Sequence, residues 1–339
     1  MSATTVFLSG ATGFVAQHLI KQLLTKGYKV IGSVRSTEKG EALKKNLNSE
    51  DFEYVIISDI QTKGAFNDVL KSHPEITIVL HTASPLSFNV TDPEKDFLIP
   101  AVEGTKNALN AVIEFAPQVT SFVLTSSYAS IFTRSKERDN TATFDESSWN
   151  DITWEQSKEN LLTGYLGSKT FAEKAAWEII ETKKPSFNFC TINPACIFGP
   201  QAFDSEVKET MNASVEILHR LIKLKSTDPV PAHAAGFIDV RDVAAAHIVA
   251  FENKEADSKR LILSDKRFSS QGLLDIINEN FPTLKGKLPI GNPGTSDEHT
   301  KVLAAINNEL TKKILGFKFI SLEKSVIDTV EQILSVKEK

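Results

Sequence analysis

Tyr165 and Lys169 stand four residues apart in the run Tyr165-Leu166-Gly167-Ser168-Lys169. On a helix that spacing puts a phenol and an ammonium side by side on one face. A phenol with an ordinary pKa near ~10 donates poorly to a developing alkoxide at neutral pH, whereas a fixed cation beside it stabilises phenolate and lowers that pKa. A depression of roughly two units would bring Tyr165 into working range as a general acid or base. The same pair is also what a surface helix shows when a tyrosine lies along a lysine stem. Its meaning therefore depends on the elements that would hold it.

The amino-terminal residues supply a second chemical pattern. Thr5-Val6-Phe7-Leu8 is a short β-prone run that leads into Ser9-Gly10-Ala11-Thr12-Gly13-Phe14-Val15-Ala16, and helical periodicity follows. In a strand–turn–helix, Gly10 permits the turn, Gly13 lets the backbone approach a pyrophosphate, and Ala16 lets the helix pack on the strand. The free N–H groups of the helix start then face the phosphates, which makes Gly10, Ala11, Thr12, Gly13, Phe14 and Val15 candidate cofactor contacts. The alternative is an ordinary strand–helix corner. A second strand, Lys29-Val30-Ile31-Gly32-Ser33-Val34, ends at Arg35 where a dinucleotide-binding unit selective for NAD presents an acid. A guanidinium suits the 2′-phosphate of NADP, and Lys39 one turn on adds a second cation. Phe52 to Ile57 reads as a third strand ending near Asp59-Ile60, an acid and an apolar residue suited to an adenine amino group and ring.

Further strands are expected at Ile76 to Leu80, Ser121 to Thr125 and Phe187 to Pro194, and helices at 39–47, 64–72, 102–115 and 161–183. This alternation predicts an α/β fold, a doubly wound parallel sheet of the Rossmann type, with a smaller C-terminal substrate-binding lobe. Residues 1–200 plus 236–262 would form the NADP-binding domain, the chain returning to the sheet at Phe237. Residues 201–235 plus 263–339 would form the lobe. Ligands of such sheets lie beyond the carboxyl ends of the strands. That rule gathers Gly10 to Gly13, His81-Thr82-Ala83-Ser84-Pro85, Ser126-Ser127 and Asn193-Pro194 along one edge, within reach of Tyr165 and Lys169. Thr133 to Asn160 is polar and aperiodic, the kind of stretch that covers a site.

Composition narrows the partners. A net charge of −5 without a basic stripe argues against nucleic acid or an anionic membrane. No apolar run is long enough to span a bilayer, and the first strand begins too early for a signal peptide. Cys190 and Cys196 form neither a metal spacing nor a disulfide framework, so a cytoplasmic chain is expected. The histidines are scattered. His18, His219 and His247 read as helix-face residues, and no metal is expected. Gly-x-Ser-x-Gly is absent, which argues against a hydrolase.

Taken together, Gly10-x-x-Gly13-x-x-Ala16, Ser127, Tyr165-x-x-x-Lys169 and Phe237-Ile238-Asp239-Val240-Arg241-Asp242 resemble the signatures of the extended short-chain dehydrogenase/reductases. Within that family, Thr125-Ser126-Ser127-Tyr128-Ala129-Ser130 and Asn193-Pro194-Ala195-Cys196-Ile197-Phe198-Gly199-Pro200 are similar to the yeast methylglyoxal reductase group, related to plant dihydroflavonol reductases. The resemblance implies an NADPH-dependent reductase of aldehydes and ketones with Ser127, Tyr165 and Lys169 as its catalytic set. It also implies cofactor contacts at Arg35, Lys39, Asp59, Ile60, Ala83, Ser84, Pro194, Ile197 and Ser214. A small-molecule carbonyl compound would sit against Leu86, Tyr128, Phe132, Leu162 and Cys196, and the protein would be a monomer or homodimer. Leu86 and Cys196 replace aromatics, which implies a roomier pocket. Two other readings share parts of the pattern: a nucleotide-sugar epimerase or dehydratase holding NAD, and a non-catalytic NADPH sensor.

Overall fold

In the computed structural model, which describes residues 4–84 and 91–337, strands and helices alternate from the start of the chain. The first half contains β1 (Thr5–Ser9), α1 (Phe14–Thr25), β2 (Lys29–Val34), α2 (Thr37–Leu47), β3 (Phe52–Ile56), α3 (Asn67–Ser72), β4 (Ile76–His81), α4 (Ile99–Phe115), β5 (Ser121–Thr125), β6 (Thr143–Phe144), α5 (Trp154–Ser157) and α6 (Leu161–Lys183). The second half contains β7 (Asn188–Pro194), β8 (Cys196–Phe198), α7 (Val215–Leu221), β9 (Ala234–Asp239), α8 (Val240–Glu252), β10 (Lys259–Leu263), β11 (Lys266–Ser269), α9 (Ser270–Asn280), α10 (Ser296–Thr300), β12 (Ala305–Ile306), α11 (Glu309–Leu315) and α12 (Leu322–Lys337).

Seven strands pair in the order β10-β7-β5-β4-β1-β2-β3, all parallel. Side chains of a strand alternate between faces, and both faces are apolar here. Val6 and Leu8 point to a core shared with Leu19 and Leu23 of α1, Leu43 of α2 and Val243 of α8. Phe7 points to the opposite core, shared with Leu70 of α3, Leu109 and Val112 of α4 and Ala176 of α6. Helices on both faces make the sheet doubly wound, as the alternation predicts.

Most boundaries fall where the sequence puts them, and two shifts have local causes. The helix expected from Gly64 begins at Asn67, because Gly64 takes φ +80°. The helix expected from Val102 begins at Ile99, because a π-helical turn over Glu94–Leu98 runs directly into it. One expectation is corrected. The strand containing Phe237 does not return to the central sheet, because β10 occupies the edge beside β7. Instead β9 lies between β8 (parallel) and β11 (antiparallel) in a separate three-stranded sheet. That sheet packs with α7, α9 and α12 around Phe198, Leu218, Phe237, Phe268, Leu274 and Val330. The tail is also divided: Ile314, Leu315 and Phe319 pack on the first core, not on this one. The polar stretch 133–160 is tied down by pairing of β6 with β12. Among the described residues no helix is long and apolar enough to cross a membrane.

Candidate active site

Gly10 leaves β1 at φ +74°, and a Cβ there would stand 2.9 Å from the Ala83 Cα, so only glycine fits. The turn is fastened to β2: Gly10 N donates to Ser33 Oγ at 3.0 Å and Ala11 N to Ser33 O at 2.8 Å. Ser9 Oγ accepts from Ala83 N at 3.0 Å and is bonded to His81 Nδ1 at 2.9 Å, which joins the carboxyl ends of β1 and β4. Gly13 is the N-cap of α1 and supplies no capping side chain. The N–H groups of that first turn are thus left for an anion. Thr12 O accepts from Gln17 Nε2 at 3.0 Å. Phe14 packs toward Met211 and Val215 from the other lobe, and Val15 packs on the first core.

Arg35 follows β2 directly and is exposed, as is Lys39 on α2. Neither side chain has a hydrogen-bond or ion-pair partner among the described residues. Asp59 and Ile60 lie in the turn after β3. Asp59 accepts from Gln61 N at 3.0 Å and from Thr62 Oγ1 at 3.3 Å, so its carboxylate shapes its own turn. Asn107 Nδ2 donates to the carbonyls of Ile60, Gln61 and Thr62, each at 3.0 Å. Ile60 rests on α4 where Gly104 has no side chain; a Cβ there would lie 2.6 Å from Ile60 Cδ1. Ala83 and Ser84 follow β4 and are half-buried, and Pro194 ends β7. Ile197 on β8 and Ser214 before α7 are joined by Ser214 Oγ donating to Ile197 O at 2.5 Å.

Ser127 follows β5 and caps a 3-10 turn over Tyr128–Ser130. Its Oγ accepts from Ala129 N at 3.1 Å and lies 3.2 Å from the Tyr165 hydroxyl. Asn160 starts α6 by accepting from Leu162 N and Thr163 N, both at 3.0 Å, which sets the phase that turns Tyr165 toward Ser127. Lys169, one turn on, lines a cavity of about 10 Å³ with Ala83, Ser84, Thr125, Ser126 and Glu173. The geometry unites Ser127, Tyr165 and Lys169 at the strand ends. The electrostatics differ from the expectation. Burial raises the Tyr165 phenol above its ordinary pKa, with the Ser127 hydrogen bond pulling the other way and nearby Cys196 adding to the rise. Burial instead lowers Lys169 to about 8, opposed by the Glu173 carboxylate.

On the substrate side Tyr128 and Phe132 stack with ring centroids 5.3 Å apart. Both pack on a small cluster around Ile131, Phe144 and Ile262. Leu162 is exposed on the first turn of α6, one turn before Tyr165. Cys196 is a free, half-buried thiol pushed up to about 12 by burial. Leu86 lies outside the described residues. His18, His219 and His247 are all buried on helices.

The sequence reading placed His81, Ser126 and Asn193 at the strand ends but did not find how they are joined beneath the site. His81 is buried with Nε2 unpartnered among the described residues. Asn193 Nδ2 donates to Ser127 O at 3.3 Å, and Ser126, Ser130 and Arg260 surround Glu173. Of the buried ion pair, Glu173 left a trace in the sequence, continuing the Tyr165, Lys169 stripe by four more residues, and Arg260 left none.

Comparison with known proteins agrees with this geometry. The profile of the NAD dependent epimerase/dehydratase family matches residues 6–263. The chain is 48% identical over 335 residues to the NADPH-dependent methylglyoxal reductase GRE2 of Saccharomyces cerevisiae, covering 97% of this chain and 98% of that one. Crystal structures of yeast methylglyoxal/isovaleraldehyde reductase Gre2 with NADPH and of Gre2 with NADPH from Candida albicans both superpose with a TM-score of 0.96. They are 47% and 51% identical to this chain, and each match covers 98% of this chain and 99% of the other.

Proposed function

The chain belongs to the NAD dependent epimerase/dehydratase family, the extended short-chain dehydrogenase/reductases, and we propose that within it the protein is an NADPH-dependent reductase of aldehydes and ketones. The observation that carries this reading is the 3.2 Å contact between Ser127 Oγ and the Tyr165 hydroxyl at the carboxyl edge of a parallel sheet, with Lys169 one turn away. The residues fit NADPH: Gly10 and Gly13 leave room and open N–H groups for its pyrophosphate, and Arg35 and Lys39 are exposed cations, without partners among the described residues, for its 2′-phosphate. Asp59 and Ile60 are assigned to the adenine, with Ala83, Ser84, Pro194, Ile197 and Ser214 along the rest of the cofactor. Bound there, NADPH supplies the hydride that reaches the carbonyl carbon.

The chain's own residues handle the oxygen. Ser127 Oγ accepts from Ala129 N, so its hydrogen is free to point at the carbonyl oxygen and polarise it. Tyr165 passes its phenolic proton to that oxygen as negative charge develops there. An alkoxide is a far stronger base than a phenolate, so this transfer is favourable even from a phenol whose pKa is raised. Lys169 Nζ has no protein acceptor among the described residues, which leaves its three N–H groups for the ribose hydroxyls. Its charge steadies the phenolate until solvent returns the proton. Tyr128, Phe132, Leu162, Cys196 and Leu86 are assigned to the substrate wall.

Residues 1–200 and 240–262 are assigned to the body that binds the cofactor, and 201–239 and 263–339 to the substrate side, from which Ser214 would reach back to the cofactor. The free thiols support a cytoplasmic location; cell fractionation tests that, and sedimentation tests monomer against homodimer. The function is tested by following loss of nicotinamide absorbance with NADPH or NADH and a panel of aldehydes, dicarbonyls and ketoesters. Tyr165→Phe is expected to bind NADPH and lose turnover by about a hundredfold or more. Activity within about tenfold of the parent removes Tyr165 from the acid role. Tightly retained NAD without reduction favours the epimerase reading, and bound NADPH without turnover the sensor.

A further inference from the structure

Glu173 lies one helical turn beyond Lys169 and two beyond Tyr165 on α6, and it is 0% exposed. A carboxylate taken so far from water is tolerated only where donors surround it. Oε1 accepts from Arg260 Nε at 2.6 Å, with Thr191 Oγ1 at 3.1 Å and Trp177 Nε1 at 3.3 Å. Oε2 accepts from Ser126 Oγ at 2.5 Å and Asn193 Nδ2 at 2.7 Å, and is also in contact with Ser130 Oγ. Two of these donors, Ser126 and Ser130, bracket Ser127. Ser130 Oγ shares its single proton between Glu173 and Ser127 O, 2.7 Å away, and Asn193 Nδ2 reaches the same Ser127 carbonyl.

Arg260 extends the grip. From β10, where it is 7% exposed, its Nη2 donates to Ser130 O at 3.3 Å, and its Nη1 donates to Glu146 O at 3.2 Å and to Ser148 O. Its guanidinium lies 3.7 Å from the Trp149 ring centroid. One ion pair therefore joins the helix of Tyr165, the ends of β5, β7 and β10, and the polar stretch before α5. A buried pair is weak support for stability, because apolar residues of similar volume do as well. Here the surrounding donors converge on the peptide that carries Ser127.

We propose that Glu173, held by Arg260, is a positioning residue that locks the Ser126–Ser130 turn and keeps the Ser127 hydroxyl in line with Tyr165. The inference rests on the reductase reading given above. Its cleanest probe leaves the ion pair intact: Ser126→Ala with Ser130→Ala removes the two hydroxyls that link Glu173 to the turn. Turnover per bound NADPH is expected to fall about tenfold while the NADPH Kd stays within about twofold, since misplacing one hydroxyl damages the chemical step and not cofactor binding. Introduced into Ser127→Ala, the same two changes are expected to cost less than about twofold more, because no hydroxyl remains to be misplaced. Glu173→Gln is expected to follow the same pattern; if it does not fold, the serine variants still decide. Losses that multiply in the triple variant, or a serine double variant with parental turnover, overturn the proposal. Tyr165→Phe is assayed alongside: if it stays active the reductase reading falls, and if it is inactive while the serine losses multiply, only the positioning role falls.

Discussion

Replacing Lys169 by arginine should remove the alkaline limb of the reaction. Burial brings the Lys169 ammonium to about 8, against an ordinary value of 10.5. The difference corresponds to about 3 kcal/mol of lost preference for the charged form. The sign follows from that direction: the lysine carries its charge below pH 8, and the charge disappears as pH rises through 8. Without it, the ribose contact weakens and the phenolate left on Tyr165 loses its stabilising neighbour. The other buried groups of the site are held outside the range from pH 7 to 10. Burial holds Tyr165 above its ordinary value, Cys196 stands at about 12, His81 is lowered to about 3, and Glu173 is held below the usual carboxylate range against the effect of burial. The pH profile of kcat/KM for NADPH reports the free enzyme. In the parent it is expected to fall about tenfold per pH unit above 8. Lys169→Arg, whose guanidinium stays charged above pH 12 or so, should start from a lower plateau and run level to about pH 10. A limb that persists near pH 8 in the arginine variant, or a parent profile flat to pH 10, would refute the assignment.

Arg35→Ala should raise KM for NADPH about tenfold, the low end for a charge-assisted phosphate contact because Arg35 is exposed, and leave KM for NADH nearly unchanged. Equal weakening of both cofactors would place Arg35 away from the 2′-phosphate. Phe132→Ala opens the wall beside Tyr128 and should shift relative kcat/KM toward bulkier ketones by roughly tenfold or more; a destabilised protein with an unchanged substrate ranking assigns Phe132 to the small core around Ile131 alone. Acid should destabilise the fold. Burial lowers His18, His81 and His247 to about 4, 3 and 4, so each takes up a proton only on unfolding, and stability present above pH 6.5 is lost as pH falls. Asp242, raised to about 7 by burial, and Asp265, also raised, work in the opposite direction over the same window. The three histidines outnumber Asp242 once pH falls below 6.5, so urea titrations should show stability falling as pH drops from 6.5 to 5; a flat or rising trend contradicts the burial argument.

What could be read in the sequence was what depends on near neighbours. The glycine turn, Arg35 after its strand, and Tyr165 four residues before Lys169 are local patterns, and the architecture follows from alternating apolar runs. The missed contacts act across long separations. Glu173 meets Arg260 from 87 positions away, and His81 meets Ser9 from 72. No spacing rule announces such partners. The strand at Phe237 was legible as a strand but not as a member of the smaller sheet, because an apolar run does not say which edge it will join. That depended on β10, and so on residues beyond it.

The reversal at Tyr165 has the same origin. Helical spacing places a cation beside the phenol, but the sign of a pKa shift is set by burial as much as by charge, and burial is tertiary. Lys169, one turn on, lines the strand ends, close enough to His81 to lower that imidazole further. A phenol that holds its proton through neutral pH suits reduction, because each cycle must begin with Tyr165 protonated. Alcohol oxidation would need the phenolate, whose share falls tenfold with each unit that burial adds to the pKa. The buried setting thus leaves Tyr165 protonated at the start of the proposed reduction, while the balance between carbonyl and alcohol is set by the reactants and the cofactor, not by the protein.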